Sequence, residues 1–505
     1  MVTKFAKYFM TVTTSLLMLP AAAQNPSGPT LDSTAKTSWH GFDRFDFLMD
    51  SADFSIRPFH ADPGEGTGII KQLPGRFRCV IVYPKKIAPG SPWSWQGRYW
   101  DHEPQTEVEL LRRGFFIAYI MSDPGKSWDA WYEFLTGKYG LSKKPAFIGM
   151  SKGGVNEYVW ATMNPEKVSC IYADNPALYP ESMQRIEVLA SNDVPLLHVC
   201  GSFDFLLDQH TLVLENLYHQ LGGRISVMIK EGTAHHPHSL RDPSPIAEWI
   251  EKSVQAVQNN PPVFNGMKFR KSYYYSFRNV YNYLPLENEY VTCRGPLFFP
   301  CYERYDQVTE STWGITGMTM IVPLKPAPGK PWVFRADRIG REPSDFDLAL
   351  LANGFYIVAA PVLAQAGPLQ KEWDSLYNLL ASNGFSKKPV LEGTGTGAGE
   401  AYAWAISNSE HVSTIFSVNP QLRSLQTKTS LFDRLDTLVH AGISLINVCG
   451  SLDPLFKENT LSVEKRYAEL GGKMKVIIHE GQGHFVSDPD DPKKVIDFIL
   501  QNSLQ

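Results

Sequence analysis

Ser151 lies in Gly149-Met150-Ser151-Lys152-Gly153-Gly154, after the apolar run Ala146–Ile148 and before an amphipathic stretch beginning near Val155. A serine between glycines at a strand-to-helix turn is the setting of a hydrolytic nucleophile. The turn is tight, and Gly149 and Gly153 let neighbouring backbone approach without a Cβ clash. Such a turn exposes the serine Oγ at the C-terminal edge of the sheet. It also aims the Lys152 amide, at the helix start, at the oxyanion that forms on attack. A serine needs a base, and the base needs an acid to fix its tautomer. Asp204 ends Cys200-Gly201-Ser202-Phe203-Asp204, just after the apolar run Leu196–Val199. The base comes from Glu231-Gly232-Thr233-Ala234-His235-His236-Pro237-His238, where three histidines compete. Pairing with Glu480-Gly481-Gln482-Gly483-His484 selects His235. Asp208 and Asp174 are the rival acids. In this reading His235 takes the proton of Ser151, an acyl-enzyme forms, and water releases the acid.

The second oxyanion donor is expected from the loop after the strand Cys79–Tyr83, at the amide of Trp95 or Gln96. That loop runs on through Arg98-Tyr99-Trp100-Asp101-His102-Glu103. Aromatic rings beside Arg, His and Glu suit stacking on sugar rings and bonding to hydroxyls. Arg98, His102, Glu103, Asp174 and His236 are the candidate substrate contacts. No cysteine or acidic spacing accompanies the histidines, so no metal is expected. No cofactor is expected either.

These residues sit within a chain that repeats itself. Ala88-Pro89-Gly90 recurs as Ala327-Pro328-Gly329, Ser142-Lys143-Lys144-Pro145 as Ser386-Lys387-Lys388-Pro389, and Val199-Cys200-Gly201-Ser202 as Val448-Cys449-Gly450-Ser451. The offset of roughly 240–250 residues marks a duplicated domain, since solenoid repeats are about 20–50 residues long. In the second half the elbow reads Gly393-Thr394-Gly395-Thr396-Gly397-Ala398. Asp453 and His484 remain, but Gly395 offers no Oγ, so this half is expected to be catalytically silent. Trp93 is kept as Trp332 and reads as packing. Arg98, His102 and Asp174 become Asp337, Arg341 and Val418, which marks them as candidates for function.

Within each half, short apolar runs alternate with amphipathic stretches. In the first half the runs are Cys79–Tyr83, Phe115–Ile120, Ala146–Ile148, Cys170–Ala173, Leu196–Val199 and Ile225–Ile229. This predicts an α/β fold, a mostly parallel sheet covered by helices. The domains are expected at residues 24–258 (catalytic) and 263–505 (degenerate), divided near Asn259-Asn260-Pro261-Pro262. Residues 263 to about 310 are expected to open the second domain with extra strands.

At 505 residues, with 43% apolar and 20% charged residues, the chain has the balance of a globular protein of two domains. A net charge of −4 gives no reason to expect nucleic acid. Residues 1–23 read as a secretory signal peptide: Lys4 and Lys7, an apolar run, then Ala21-Ala22-Ala23. Export to the periplasm or the medium, without a membrane anchor, is therefore expected. Cys293 and Cys301 flank a short loop that a disulfide would close, while the other four cysteines sit in apolar runs as buried thiols.

With these motifs in place, both halves resemble the α/β-hydrolase superfamily. The segments from Gly90-Ser91-Pro92-Trp93 to His102-Glu103-Pro104-Gln105, with the Ser151 elbow and His235-His236-Pro237-His238-Ser239-Leu240, resemble exported bacterial esterases and prolyl-oligopeptidase-like peptidases. Many of these accompany polysaccharide degradation. The resemblance implies a serine carboxylesterase acting on small-molecule or glycan esters. A serine peptidase and a non-catalytic glycan-binding protein are the alternatives. Against the peptidase, the chain has no propeller-sized N-terminal domain. Only about twenty residues separate Asp174 from Val194, little room for a lid, so an open cleft is expected.

Overall fold

The computed structural model describes residues 36–61, 70–255 and 267–503, apart from 277–281, 287–288, 308–316, 338, 341, 360–369, 423–430 and 487–490. The expected signal peptide and the Asn259–Pro262 boundary lie outside the described residues.

The strands of the first half are β1 (Lys36–Trp39), β2 (Phe42–Asp50), β3 (Ile56–Phe59), β4 (Arg76–Tyr83), β5 (Trp93–Gln96), β6 (Phe116–Ile120), β7 (Ala146–Met150), β8 (Cys170–Asp174), β9 (Leu196–Gly201) and β10 (Ile225–Lys230). Those of the second are β11 (Phe269–Tyr274), β12 (Asn282–Leu286), β13 (Glu289–Arg294), β14 (Tyr302–Gln307), β15 (Thr319–Val322), β16 (Trp332–Arg335), β17 (Tyr356–Ala359), β18 (Val390–Thr394), β19 (Thr414–Val418), β20 (Ser444–Gly450) and β21 (Met474–His479). The first sheet is ordered β1-β2-β4-β6-β5-β7-β8-β9-β10-β13-β12, with β3 paired to β2. The second is ordered β11-β14-β15-β17-β16-β18-β19-β20-β21. The duplication is thus one of topology. Each sheet begins antiparallel, exchanges two strands (β6 with β5, β17 with β16), and continues parallel as far as β10 or β21.

The six apolar runs read in the first half are β4 and β6 to β10. β7, β8 and β9 are buried along their whole length, because helices cover both faces. Trp93–Gln96, expected as loop, is instead the central strand β5. Four residues are too few to show a period, and their tryptophans resemble a cleft lining as much as a core. Trp95 is fully buried, stacked on Trp128 at 4.6 Å and on Phe147 at 5.4 Å. Trp93 donates its indole N–H to the Ser142 carbonyl at 2.7 Å, and Trp332 does the same to Ser386 at 2.8 Å. That shared bond supports a structural role for both.

The segment expected to open the second domain is divided between the sheets. β11 and β14 hold the places that β1 and β2 hold in the first sheet. β12 and β13 form a hairpin between them that pairs antiparallel with β10. It satisfies backbone groups that β10 would otherwise present as an open edge. All six cysteines are free thiols, Cys293 buried within β13. No helix among the described residues is long and apolar enough to cross a membrane.

Candidate active site

The Ser151 elbow joins β7 to the helix Lys152–Ala161. Its φ of 51° and ψ of −119° are strained for a residue with a Cβ, and its amide donates to the Asp174 carbonyl at 2.9 Å. Gly149 meets the expected need. A Cβ on Gly149 would lie 2.3 Å from Glu157 Oε2, whereas one on Gly153 would meet only ordinary contact with Arg98 at 3.4 Å. Lys152 is the first helical residue, so its amide is one of the unpaired donors at the helix start.

Asp204 lies just past β9 and His235 past β10, so the parallel sheet delivers both to the edge that carries Ser151. His235 Nδ1 is 2.7 Å from Asp204 Oδ2. The other carboxylate oxygen of Asp204 accepts from the Leu206 amide at 2.9 Å, which fixes the acid in place. With Nδ1–H committed to Asp204, Nε2 of His235 is left to accept a proton. Ser151 and His235 both line a cleft of about 820 Å³, with Arg98, Tyr99, His102 and His236. The segment between Asp174 and Val194 folds into two five-residue helices, Pro180–Gln184 and Glu187–Ser191.

Other expected contacts fall elsewhere. Trp95 and Gln96 lie in register with β6 on one side and β7 on the other, which engages their amides in the sheet. Neither residue lines the cleft, because the strand extends through the motif read as loop. Arg98, two residues beyond, abuts the helix start instead. Its side chain pairs with Asp123 at 3.2 Å at the cleft wall.

Asp174 is 2% exposed and does not line the cleft. Its carboxylate accepts from His238 Nδ1 at 2.8 Å, from the Ser239 amide at 2.7 Å and from the Tyr172 hydroxyl at 3.0 Å. Burial alone would raise its pKa, but the nearby Lys230 ammonium and His238 hold it below the usual carboxylate range. Its carboxylate stands behind His238, one of the residues that line the cleft. Glu103 accepts from the His238 amide at 2.7 Å, and so ties the mouth loop to the histidine loop.

One positioning residue escaped the sequence reading. Asn175 donates to the His235 carbonyl at 2.9 Å and accepts from the Gly201 amide at 2.8 Å, clamping the histidine loop to the end of β9. Asn419 makes the same two bonds, to His484 and Gly450. Its recurrence after matching strands was the available signal.

In the second half, His484 Nδ1 is 2.6 Å from Asp453 Oδ2. Gly395 has φ 53° and ψ −115°, nearly the conformation of Ser151. A Cβ there would stand 3.8 Å from His484 Nε2. Asp337 occupies the place of Arg98 and accepts from the Thr394 amide at 2.7 Å. It lies so close to Gly397 that a Cβ on that glycine would be 2.3 Å from its Oδ1. Arg341 lies outside the described residues.

Strand order, the strand-to-helix elbow and the acid–histidine placement together define the α/β-hydrolase fold, built twice in one chain. No protein-family model and no curated protein matches the sequence. Solved structures similar to parts of it include Est1E from Butyrivibrio proteoclasticus, with 11% identity and a TM-score of 0.31, covering 36% of this chain and 93% of that one. The S-formylglutathione hydrolase FrmB from Staphylococcus aureus has 12% identity and a TM-score of 0.30, covering 47% and 98%. Dipeptidyl peptidase 4 from Porphyromonas gingivalis has 10% identity and a TM-score of 0.31, covering 48% of this chain but only 36% of the peptidase.

Proposed function

We propose that this protein is an exported serine carboxylesterase that removes acyl or methyl ester groups from carbohydrates, with all chemistry in the first domain. The observation that carries the reading is the oriented pair: His235 bonded to Asp204 at 2.7 Å, at the sheet edge where Ser151 is held at φ 51°. Ser151 is the proposed nucleophile, His235 the base and then the acid, and Asp204 the residue that holds the tautomer. The amides of Lys152 and Arg98 are the proposed oxyanion donors. Attack forms the Ser151 Oγ–acyl bond and passes the proton to His235. Collapse expels the alcohol, which takes that proton, and water then repeats the cycle in reverse to free the acid. A wide mouth lined by Tyr99, Arg98 and His102 supports a bulky, hydroxyl-rich substrate.

The test is hydrolysis of a short-chain chromogenic ester, followed by a panel of acetylated, feruloylated and methyl-esterified glycans beside proline peptides. Ser151→Ala is expected to lower kcat by about 10⁴-fold or more, and His484→Ala to leave it unchanged. Full turnover by Ser151→Ala would refute the assignment. Cleavage of the peptides but not the esters would replace the esterase with a peptidase.

A further inference from the structure

Beside the proposed triad lies a second group of chemistry-bearing side chains. One ligand atom from each of His102, Glu103, His236 and His238 falls within 4.8 Å of all the others. A zinc ion with bonds of about 2.0–2.1 Å sets its ligand atoms roughly 3.3 Å apart, so modest turns of exposed side chains close the gap. His102 and His236 are exposed and free to make those turns.

We infer that these four residues form a binding site for a divalent transition ion of zinc's class, which ties together the two loops that wall the cleft. Three observations carry this. The first is the ligand set: three imidazoles and a carboxylate suit zinc and its neighbours and are poor ligands for calcium or magnesium. The second is the support behind it. His238 is 3% exposed and its Nδ1 is bonded to Asp174 at 2.8 Å, which leaves Nε2 as the ligand atom. A buried carboxylate behind a histidine is the usual second layer of a metal site, fixing ring and tautomer. The mouth loop is equally fixed: Asp101 accepts from Trp39 and His40, and Tyr99, Asp101 and Glu103 all hold positive φ. The third is the silent half. By the spacing of the repeat, His102, His236, His238 and Asp174 are replaced there by Arg341, Phe485, Ser487 and Val418, and only Glu103 persists, as Glu342. Three ligands and the supporting acid are missing from the half that has no nucleophile.

The histidine run alone gave no such indication. Glu103 lies 135 residues from His238, and only the fold brings them together.

The site is tested with untagged full-length protein, stripped by chelator and titrated with Zn²⁺ alone by calorimetry, then with Co²⁺ by visible absorption. One ion per chain is expected, with strong tetrahedral Co²⁺ bands and a raised melting temperature. His102→Ala and His236→Phe, both at exposed positions, are each expected to weaken binding at least about 10-fold, and Ser151→Ala to leave it intact. Absence of saturable Zn²⁺ binding would overturn the proposal. So would binding that both histidine variants leave unchanged. The readouts are metal affinity and spectrum, so they stand whether or not the esterase reading does.

Discussion

At the scale of single residues, the two halves differ at the elbow by more than a missing hydroxyl. Gly395 keeps the backbone angles of Ser151, and His484 waits at serine distance with Asp453 behind it. What else has changed is Asp337, a half-buried carboxylate against the helix start, where the first half has Arg98. Burial raises its pKa, yet an anion beside a forming oxyanion opposes it. Gly395→Ser in a Ser151→Ala background is therefore expected to show no ester turnover. Adding Asp337→Arg is expected to restore a measurable rate, along with labelling by a serine-directed phosphonate. Turnover from Gly395→Ser alone would show that Asp337 does not matter.

At the scale of elements, the β12–β13 hairpin links the second half of the chain to the first sheet. It extends the first sheet past β10, and the Tyr290 carbonyl accepts from the Glu231 amide at 2.8 Å. Thr292 donates to the Glu231 carboxylate at 2.7 Å, and Glu289 accepts from the Arg241 amide at 3.0 Å. Glu231 and Arg241 bound the loop that carries His235 and His238. This hairpin thus braces the loop that carries His235 and His238. Thr292 is 3% exposed, and Thr292→Val is expected to cost about 1 kcal/mol by urea denaturation. It is also expected to lower kcat, since His235 is held less firmly. Replacing the hairpin by a short turn is expected to do both more strongly.

At the scale of the whole molecule, the two domains solve one burial problem differently. In the second, Arg335 under the sheet pairs with Asp347 and with Glu392 at 2.7 Å. In the first, the places of Arg335 and Asp347 are taken by Gln96 and Glu107. No cation among the described residues answers Glu107, and burial, helped by Asp101 and Asp174, raises its pKa to about 8. A carboxyl raised this way stays protonated in the folded chain. Folding is then unpenalised below its ordinary value near 4.5, and loses stability as pH climbs from there to about 8. Glu107→Gln is expected to flatten that fall, which melting temperatures at pH 5 and pH 8 will measure. An unchanged pH profile would rule Glu107 out as its source.

The sequence by itself determined the duplication, the six apolar strands of the first half, and the serine, aspartate and histidine with their order. These are local signals: a glycine elbow, a strand end and a repeated motif each lie within about ten residues, where spacing reports conformation. Tertiary structure decided the rest, because it depended on sheet order. It showed that Trp93–Gln96 is a central strand, so that Arg98 stands next to the elbow in place of Trp95 or Gln96. It moved Asp174 behind His238, sent β12 and β13 to the first sheet, and gathered His102 and Glu103 against His236 and His238. No spacing along the chain encodes such meetings. They follow from which strands become neighbours once every apolar face is buried.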